Sequence, residues 1–429
     1  MYLFMFSVQV RLDFHRQIKN LLQRDLYPFH FKQHNKHELR RNLHLIKISN
    51  LSKQYLDNME NNIVLRKDVN NIPAIRTLVK DISLRNDPLL CDKLEAELKK
   101  LPNLTHARLI QYGDKPCELL RYFPMISSSG LTEFSEICKR LNLFRMEHLG
   151  NITGHKSYYL ISYLAMLEHA LIEHAITFLR KNDFKLVSVP DILPAFLIEG
   201  CGMHTAPERT QVYTLKPNMC LSGTSEMALA GIFQDRLYKK KELPIKVCAV
   251  SRCFRAETSG SHEEKGIYRV HQFNKVEMFA VCTTSQSEEI INYFKNLEIS
   301  LFKNLNLTFR LLDMPPPELG APAYEKYDIE SWMSGRKIWG EISSCSNCTD
   351  YQSKRLNITY LSSNKTKFVH TVNGTAAAIP RLLISLIESN QMKASSISVP
   401  NVLQKFIKQS DVKKEKRFPE LKLAKRIKH

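Results

Sequence analysis

Arg255, Glu257, Arg269, Phe273 and Glu277 stand within one stretch, VSRCFRAETSGSHEEKGIYRVHQFNKVEMF, at residues 250–279. It reads as a hairpin, with a strand running out to about Glu257, a Gly-containing loop, and a strand returning from about Tyr268. Side chains alternate between the faces of a strand. That rule groups Arg255 with Glu257 on the outgoing strand, and Arg269, Phe273 and Glu277 on the return strand. One sheet surface would then carry two guanidinium groups, two carboxylates and a flat ring. Guanidinium forks grip phosphate at two points, a carboxylate holds a metal ion or an amine, and a ring stacks on a base. The set suits a nucleotide triphosphate. The plainer alternative is a charged, half-exposed hairpin.

The elements that must carry these residues belong to a chain of 429 residues, enough for a large core and two or more domains. Hydrophobic residues make up 43% and charged residues 24%, the ordinary balance of a soluble globular protein. The charge itself is not ordinary. Sixty-two Lys and Arg against 43 Asp and Glu give +19, an excess that favours polyanions such as RNA. Ten scattered cysteines do not form a disulfide framework. Cys345 and Cys348 make a lone C-x-x-C without a second pair to complete a zinc site.

Residues 1–36 contain only Asp13 and Asp25 as acids among many aromatic and basic residues, the composition of a mitochondrial presequence. No long charge-free apolar run occurs, so no membrane span is expected. Helical spacing begins near Asn71, with Pro73 in the first turn and Ile75, Leu78, Val79 and Ile82 along one stripe. Asn86, Asp87 and Pro88 break it, and a second helix carries Leu90, Leu94 and Leu98. The pair makes an antiparallel hairpin of helices about 20 Å long. Tyr159–Arg180 is expected as a strong amphipathic helix. Its His169, Glu173 and His174 match no metalloprotease spacing and read as core-edge packing. From Lys405 to His429, ten Lys or Arg face three acids, which suits either a solvated end or a phosphate-contacting tail.

CFRAE followed by YRVHQFNKVEMF resembles motif 2 of class II aminoacyl-tRNA synthetases, in the form carried by seryl-tRNA synthetases. The helix with FKLVSVPDILP resembles motif 1, the family's dimer-forming unit, and HTVNGTAAAIPRLLISLIESNQ (370–391) resembles motif 3. LSGTSEMALAG (221–231) is similar to the family's Thr-x-Glu segment. GCGM, LDMPPPELGAPAYEKYDIESW (312–332) and GEISSCSNCTDYQSKRLNI (340–358) look most like its mitochondrial branch. The resemblance spans roughly residues 60–405.

The resemblance implies an α/β fold of the α+β type, a mainly antiparallel sheet flanked by helices and preceded by a short helical arm. The implied organisation is a presequence at 1–36, a tRNA-binding arm at 50–105, a catalytic domain at 115–405 and a basic tail at 406–429. It implies a mitochondrial (matrix) serine–tRNA ligase, a homodimer acting on L-serine, ATP and tRNA(Ser) with Mg2+. Arg255 would grip the α-phosphate and the serine carboxylate, and Arg269 the γ end. Phe273 and Arg381 would cover the two faces of adenine beside Val270, and Glu257 would read its amino group. Glu341 and Ser344 would hold magnesium. Thr224 and Glu226 would bind the serine ammonium, Glu277 and Thr375 its hydroxyl, and Asn373 would orient that pocket. Asn373 and Thr375 could instead simply cap the motif 3 turn. An arm much shorter than the family's usual one supports a second reading, a catalytically silent RNA-binding scaffold. A class II enzyme for another amino acid fits poorly with Thr224 and Glu277 together.

Overall fold

The computed structural model describes residues 51–84, 87–124, 132–146, 149, 153–205, 211–215, 218–257, 266–392 and 396–419. The expected presequence and the last ten residues of the basic tail lie outside them.

Three helices open the described chain, one more than the sequence suggested. Helix α1 (Lys53–Arg66) starts where the Ser52 side chain accepts from the Tyr55 N–H and stops at Lys67, whose left-handed backbone ends the turn. Helix α2 (Ile72–Leu84) is followed by α3 (Pro88–Lys99), where Asp87 caps the Leu89 N–H and Pro88 occupies the first turn. Leu56, Met59, Ile63, Ile72, Ile75, Leu94 and Leu98 from the three helices form one buried cluster. The far ends of α2 and α3 leave it, and Leu84 and Leu89 are 73% and 68% exposed. At 13 and 12 residues these helices reach only about 20 Å.

The main sheet has eight strands, β1 (Cys117–Tyr122), β2 (Lys185–Ser188), β3 (Ile245–Phe254), β4 (Gln272–Cys282), β5 (Phe309–Asp313), β6 (Glu325–Met333), β7 (Ile338–Thr349) and β8 (His370–Ala378). Their spatial order is β1-β5-β6-β7-β8-β4-β3-β2. Every pairing is antiparallel except that of β2 with β3. This is the expected antiparallel sheet flanked by helices.

One face is covered by α4 (Tyr163–Lys181), α6 (Ser287–Asn304) and α8 (Ile379–Ser389); α5 (Ser225–Ile232) lies on the opposite side. The strand alternation is visible on β4. Val276, Met278, Ala280 and Cys282 enter the large core with α4, α6 and α8. Phe279 and Val281 enter a second cluster with Met227, Leu229 and Ala230 of α5. Phe273, Lys275 and Glu277 have the parity of Phe279 and face that same side, where the sheet is uncovered.

Helix α4 begins at Tyr163, not Tyr159. Tyr159 and Leu160 form a short strand paired with Arg145 and Phe144, and Ser162 then adopts a positive φ of 50° before the helix starts. His174 is buried on this helix, and burial, with Lys405 nearby, pushes its imidazole down to about 4. It is a neutral core histidine. The basic C-terminal stretch is part of the fold as far as Pro419. Helix α9 (Asn401–Ile407) buries Leu403 and Ile407, and Asp411–Val412 pairs with Ser396–Ser398. Leu141 O accepts from the Glu415 N–H, while Asn142 and Arg145 hold the Phe418 and Pro419 carbonyls.

Candidate active site

The regular part of β3 ends at Phe254, so Arg255 and Glu257 are not on a strand as the sequence reading had them. The Arg255 N–H still reaches His271 O at 2.8 Å, one rung further, which keeps Arg255 on the open face. The Glu257 N–H then turns back onto Arg255 O. Arg269 likewise precedes β4, following the single helical turn Gly266–Tyr268. Its guanidinium pairs with Glu257 at 3.3 Å. The residues come together, but through the ends of the hairpin instead of through simple alternation.

Arg255, Glu257, Arg269, Val270, Phe273, Glu341, Ser344, Thr375 and Arg381 line one cleft, whose enclosed part measures about 110 Å³. The Arg255 guanidinium lies 5.4 Å from the centre of the Phe273 ring. Arg381, three residues into α8, donates to Tyr268 O at 3.2 Å and to the Glu341 carboxylate at 3.2 Å, and lies 4.4 Å over the Tyr268 ring. Arg336 sits over the same ring at 5.1 Å, so Tyr268 packs against two arginines. Sequence reasoning missed it, because nothing in the hairpin pattern separates this tyrosine from a packing residue.

Glu341 and Ser344 are three apart on β7 and by alternation should face opposite sides. A bulge resolves this. Glu330 pairs with Glu341 and Ile329 with Ser343, so Ile342 is an extra residue, and Ser344 opposite Asp328 returns to the face of Glu341. Burial pushes the Glu341 carboxyl up, but Lys326, Arg381 and Arg255 outweigh it and hold the group below its ordinary range. An ionised carboxylate and a hydroxyl facing one cleft are hard oxygen donors that fit Mg2+. Among the described residues no cluster of three or more His, Cys, Asp or Glu could hold a metal by itself. Further ligands would come from phosphate oxygens.

A more buried group of residues sits beside the cleft. Thr224 caps α5 and accepts from the Glu226 N–H at 3.3 Å. One oxygen of Glu226 receives both Asn373 Nδ2 at 2.7 Å and Gln352 Nε2 at 2.5 Å. Asn373 and Thr375 lie within β8, which runs on to Ala378, so neither caps a turn. Thr375 Oγ1 donates to Glu277 at 3.4 Å, and Lys275 Nζ pairs with the same carboxylate oxygen. Burial, and then the charge of Glu277, push Glu226 up to about 7 against its two amide donors. Burial also raises Glu277, opposed by Lys275 and Arg255. The buried Glu277, paired with Lys275, and the half-buried Glu226 leave room for a second cation. Lys275 and the α7 (Tyr351–Leu356) residue Gln352 were not singled out in the sequence, although Lys275 shares the parity of Phe273 and Glu277.

The tRNA synthetase class II core domain (G, H, P, S and T) matches residues 211–390. A serine–tRNA ligase of Rhodopirellula baltica is 35% identical over 337 residues, covering 74% of this chain and 78% of that protein. The chain belongs to the serine–tRNA ligase family. A mitochondrial serine–tRNA ligase of Mus musculus is 40% identical over 334 residues, 74% of this chain. Family members from bacteria reach similar values, as in Treponema denticola at 41% over 268 residues. This chain spans 63% and 64% of those two relatives' lengths. Among solved family structures, seryl-tRNA synthetase of Pyrococcus horikoshii complexed with ATP superposes with a TM-score of 0.71 at 26% identity, over 89% of this chain and 92% of that one.

Proposed function

We propose that this chain activates L-serine with ATP and passes the seryl group to the 3′ end of tRNA(Ser). The observation that carries the reading is the juxtaposition of half-buried Glu226 and buried Glu277 beside a cleft that holds Arg255, Phe273 and Arg381. A carboxylate whose two amide donors share one oxygen suits an ammonium ion at the other. A carboxylate beside a threonine hydroxyl suits a small alcohol. The structural relative solved with ATP supports the nucleotide.

The first step is in-line attack of the serine carboxylate on the α-phosphate, with pyrophosphate leaving. Two anions must meet, so the site has to neutralise charge and hold geometry. Arg255 bridges the serine carboxylate and the α-phosphate, and Arg269 takes the γ end. Phe273 and Arg381 enclose adenine next to Val270, and Glu257 accepts from its amino group. Glu341 and Ser344 would hold Mg2+, which when bound offsets phosphate charge. Thr224 and Glu226, oriented by Asn373, bind the ammonium, and Glu277 with Thr375 binds the hydroxyl. Serine's carboxylate is already ionised and needs no general base.

The protein acts as a homodimer through the motif 1 region, where Met166, Leu186 and Ile192 are 41%, 48% and 51% exposed. The arm of α2 and α3 contacts tRNA over its short reach. The mitochondrial matrix is supported by the acid-poor first 36 residues and by the mitochondrial relatives from mouse and cattle. The test is exchange of labelled pyrophosphate into ATP by the purified protein with Mg2+. Exchange that requires serine is expected. None with serine, or equal exchange with alanine, would overturn the reading and favour a silent scaffold.

A further inference from the structure

Lys275 is the cation that the pocket's geometry singles out. It stands on β4 between Phe273 and Glu277, on the face those residues share. Its side chain is 9% exposed and that of Glu277 3%, and the ammonium contacts one carboxylate oxygen directly. The Thr375 hydroxyl meets the same oxygen. Besides Lys275 and Thr375, Arg255 from the β3 side lowers Glu277, and Glu277 in turn raises the acidic groups that face it, Cys253 beside it, Glu226 from α5 and Glu298 from α6. Arg255 is shared with the α-phosphate, so Lys275 is the cation in direct contact with Glu277.

We infer that Lys275 is the positioning residue of the serine pocket, holding Glu277 ionised and in one orientation so that the pocket offers the substrate hydroxyl an acceptor and no donor. This rests on the serine reading above. Without the ammonium, burial would push Glu277 further toward its protonated form. A protonated carboxyl is a weaker acceptor, and its own O–H competes for the substrate oxygen. Lys275 lines the same cleft as Phe273 but acts on serine through Glu277.

The test is the pH profile of kcat/KM for serine in pyrophosphate exchange, for wild type and for Lys275→Met. In the variant the acid limb should move to higher pH. The loss should be about tenfold near pH 7, the difference between a charged and a neutral acceptor, and should recover toward pH 9. KM for ATP should stay within about threefold. Lys275→Arg, which keeps a cation, should retain a profile close to wild type. Should Lys275→Met fail to fold, Lys275→Gln keeps a donor without the charge and gives the same reading. Lys275 also lowers Glu226, so the profile is read as well in Glu277→Gln with and without Lys275→Met: a displacement that persists there belongs to Glu226 and overturns the inference, and one that vanishes there reports Glu277. A loss of equal size at pH 6 and pH 9 would make Lys275 merely structural, and an unmoved profile would dismiss it from the pocket. Absence of serine-dependent exchange in wild type is a separate outcome, which overturns the serine reading and this inference with it.

Discussion

Arg66 at the base of the arm is buried and Arg108 beyond it is half-buried over two buried acids, while in the proposed serine pocket Glu277 is buried and Glu226 half-buried; the two regions are partnered in opposite ways. Arg66 donates to Thr105 Oγ1 and to the carbonyls of Leu104, Gly320 and Ala323 at 2.6–3.0 Å. Burial lowers its pKa to about 10, which still leaves it charged at neutral pH. Arg108 pairs with Asp313 at 2.9 Å and Glu325 at 2.6 Å and meets Tyr327 Oη at 2.9 Å. Tyr112 and Asn347 occupy further acceptor positions on the same two carboxylates. Those acids are 2–3% exposed and fully matched. The pocket instead sets two carboxylates near each other with one lysine, and Glu226 is left at about 7. The acids under Arg108 are saturated by the fold. Here the shortfall marks where a ligand's charge is to go.

The comparison breaks if the pocket carboxylates turn out to be structural, and Glu277→Ala presses hardest on that point. Preference for serine over alanine should collapse from a discrimination on the order of 10⁴, because the acceptor that alanine leaves unpaired is gone. Glu277→Gln should lose less, and ATP affinity should change little in either. Activation kinetics with serine, alanine and threonine check it. Preserved preference would mean that another group reads the hydroxyl.

Arg108→Ala addresses the saturated side. It strands Asp313 and Glu325 and should cost about 3–5 kcal/mol of stability, read by denaturant unfolding, with serine activation by the folded protein unchanged. Arg255→Ala and Arg381→Ala should do the reverse. Each should lose about 10²–10³ in adenylate formation with an unaltered unfolding midpoint, since one preorganised donor to developing charge is removed. A folded variant within a few-fold of wild type would place the phosphate site elsewhere.

The open-face parity of Arg255, Phe273 and Glu277 was legible in the sequence, because a period of two survives any twist of the sheet. So were α2 and α3, whose apolar stripes end in recognisable breaks. The partnering was not. Gln352 lies 126 residues from Glu226, the Asp313–Glu325–Arg108 cluster joins three separate segments, and no local pattern encodes such meetings. The bulge at Ile342 was equally hidden, since an extra residue in a strand has no composition of its own. Helix α1 escaped because only Leu56, Met59 and Ile63 mark its buried side among polar neighbours, although Ser52 was available as a cap. Arg66 at its end looked like any surface arginine.

Residues 420–429, outside the described chain, carry four Lys or Arg. Their removal should leave serine activation intact. The slope of log tRNA affinity against log salt should become shallower by ~0.7–0.9 per lost phosphate contact. Filter binding at several salt concentrations measures it. An unchanged slope would leave this end without an RNA role.

The most direct test of the unequal partnering is a proton count. With Glu226 near 7, about half of the free sites carry its proton at pH 7. An ammonium ion beside it favours the carboxylate, so its pKa falls on binding and the proton leaves. Calorimetry of serine binding in the presence of a non-hydrolysable ATP analogue, in buffers of different ionisation enthalpy, reads that number. Release of about half a proton per site at pH 7, fading by pH 8.5, is the expected result. Binding with no proton released at pH 7 would show that Glu226 is already matched by the fold, and the contrast between the two regions would not stand.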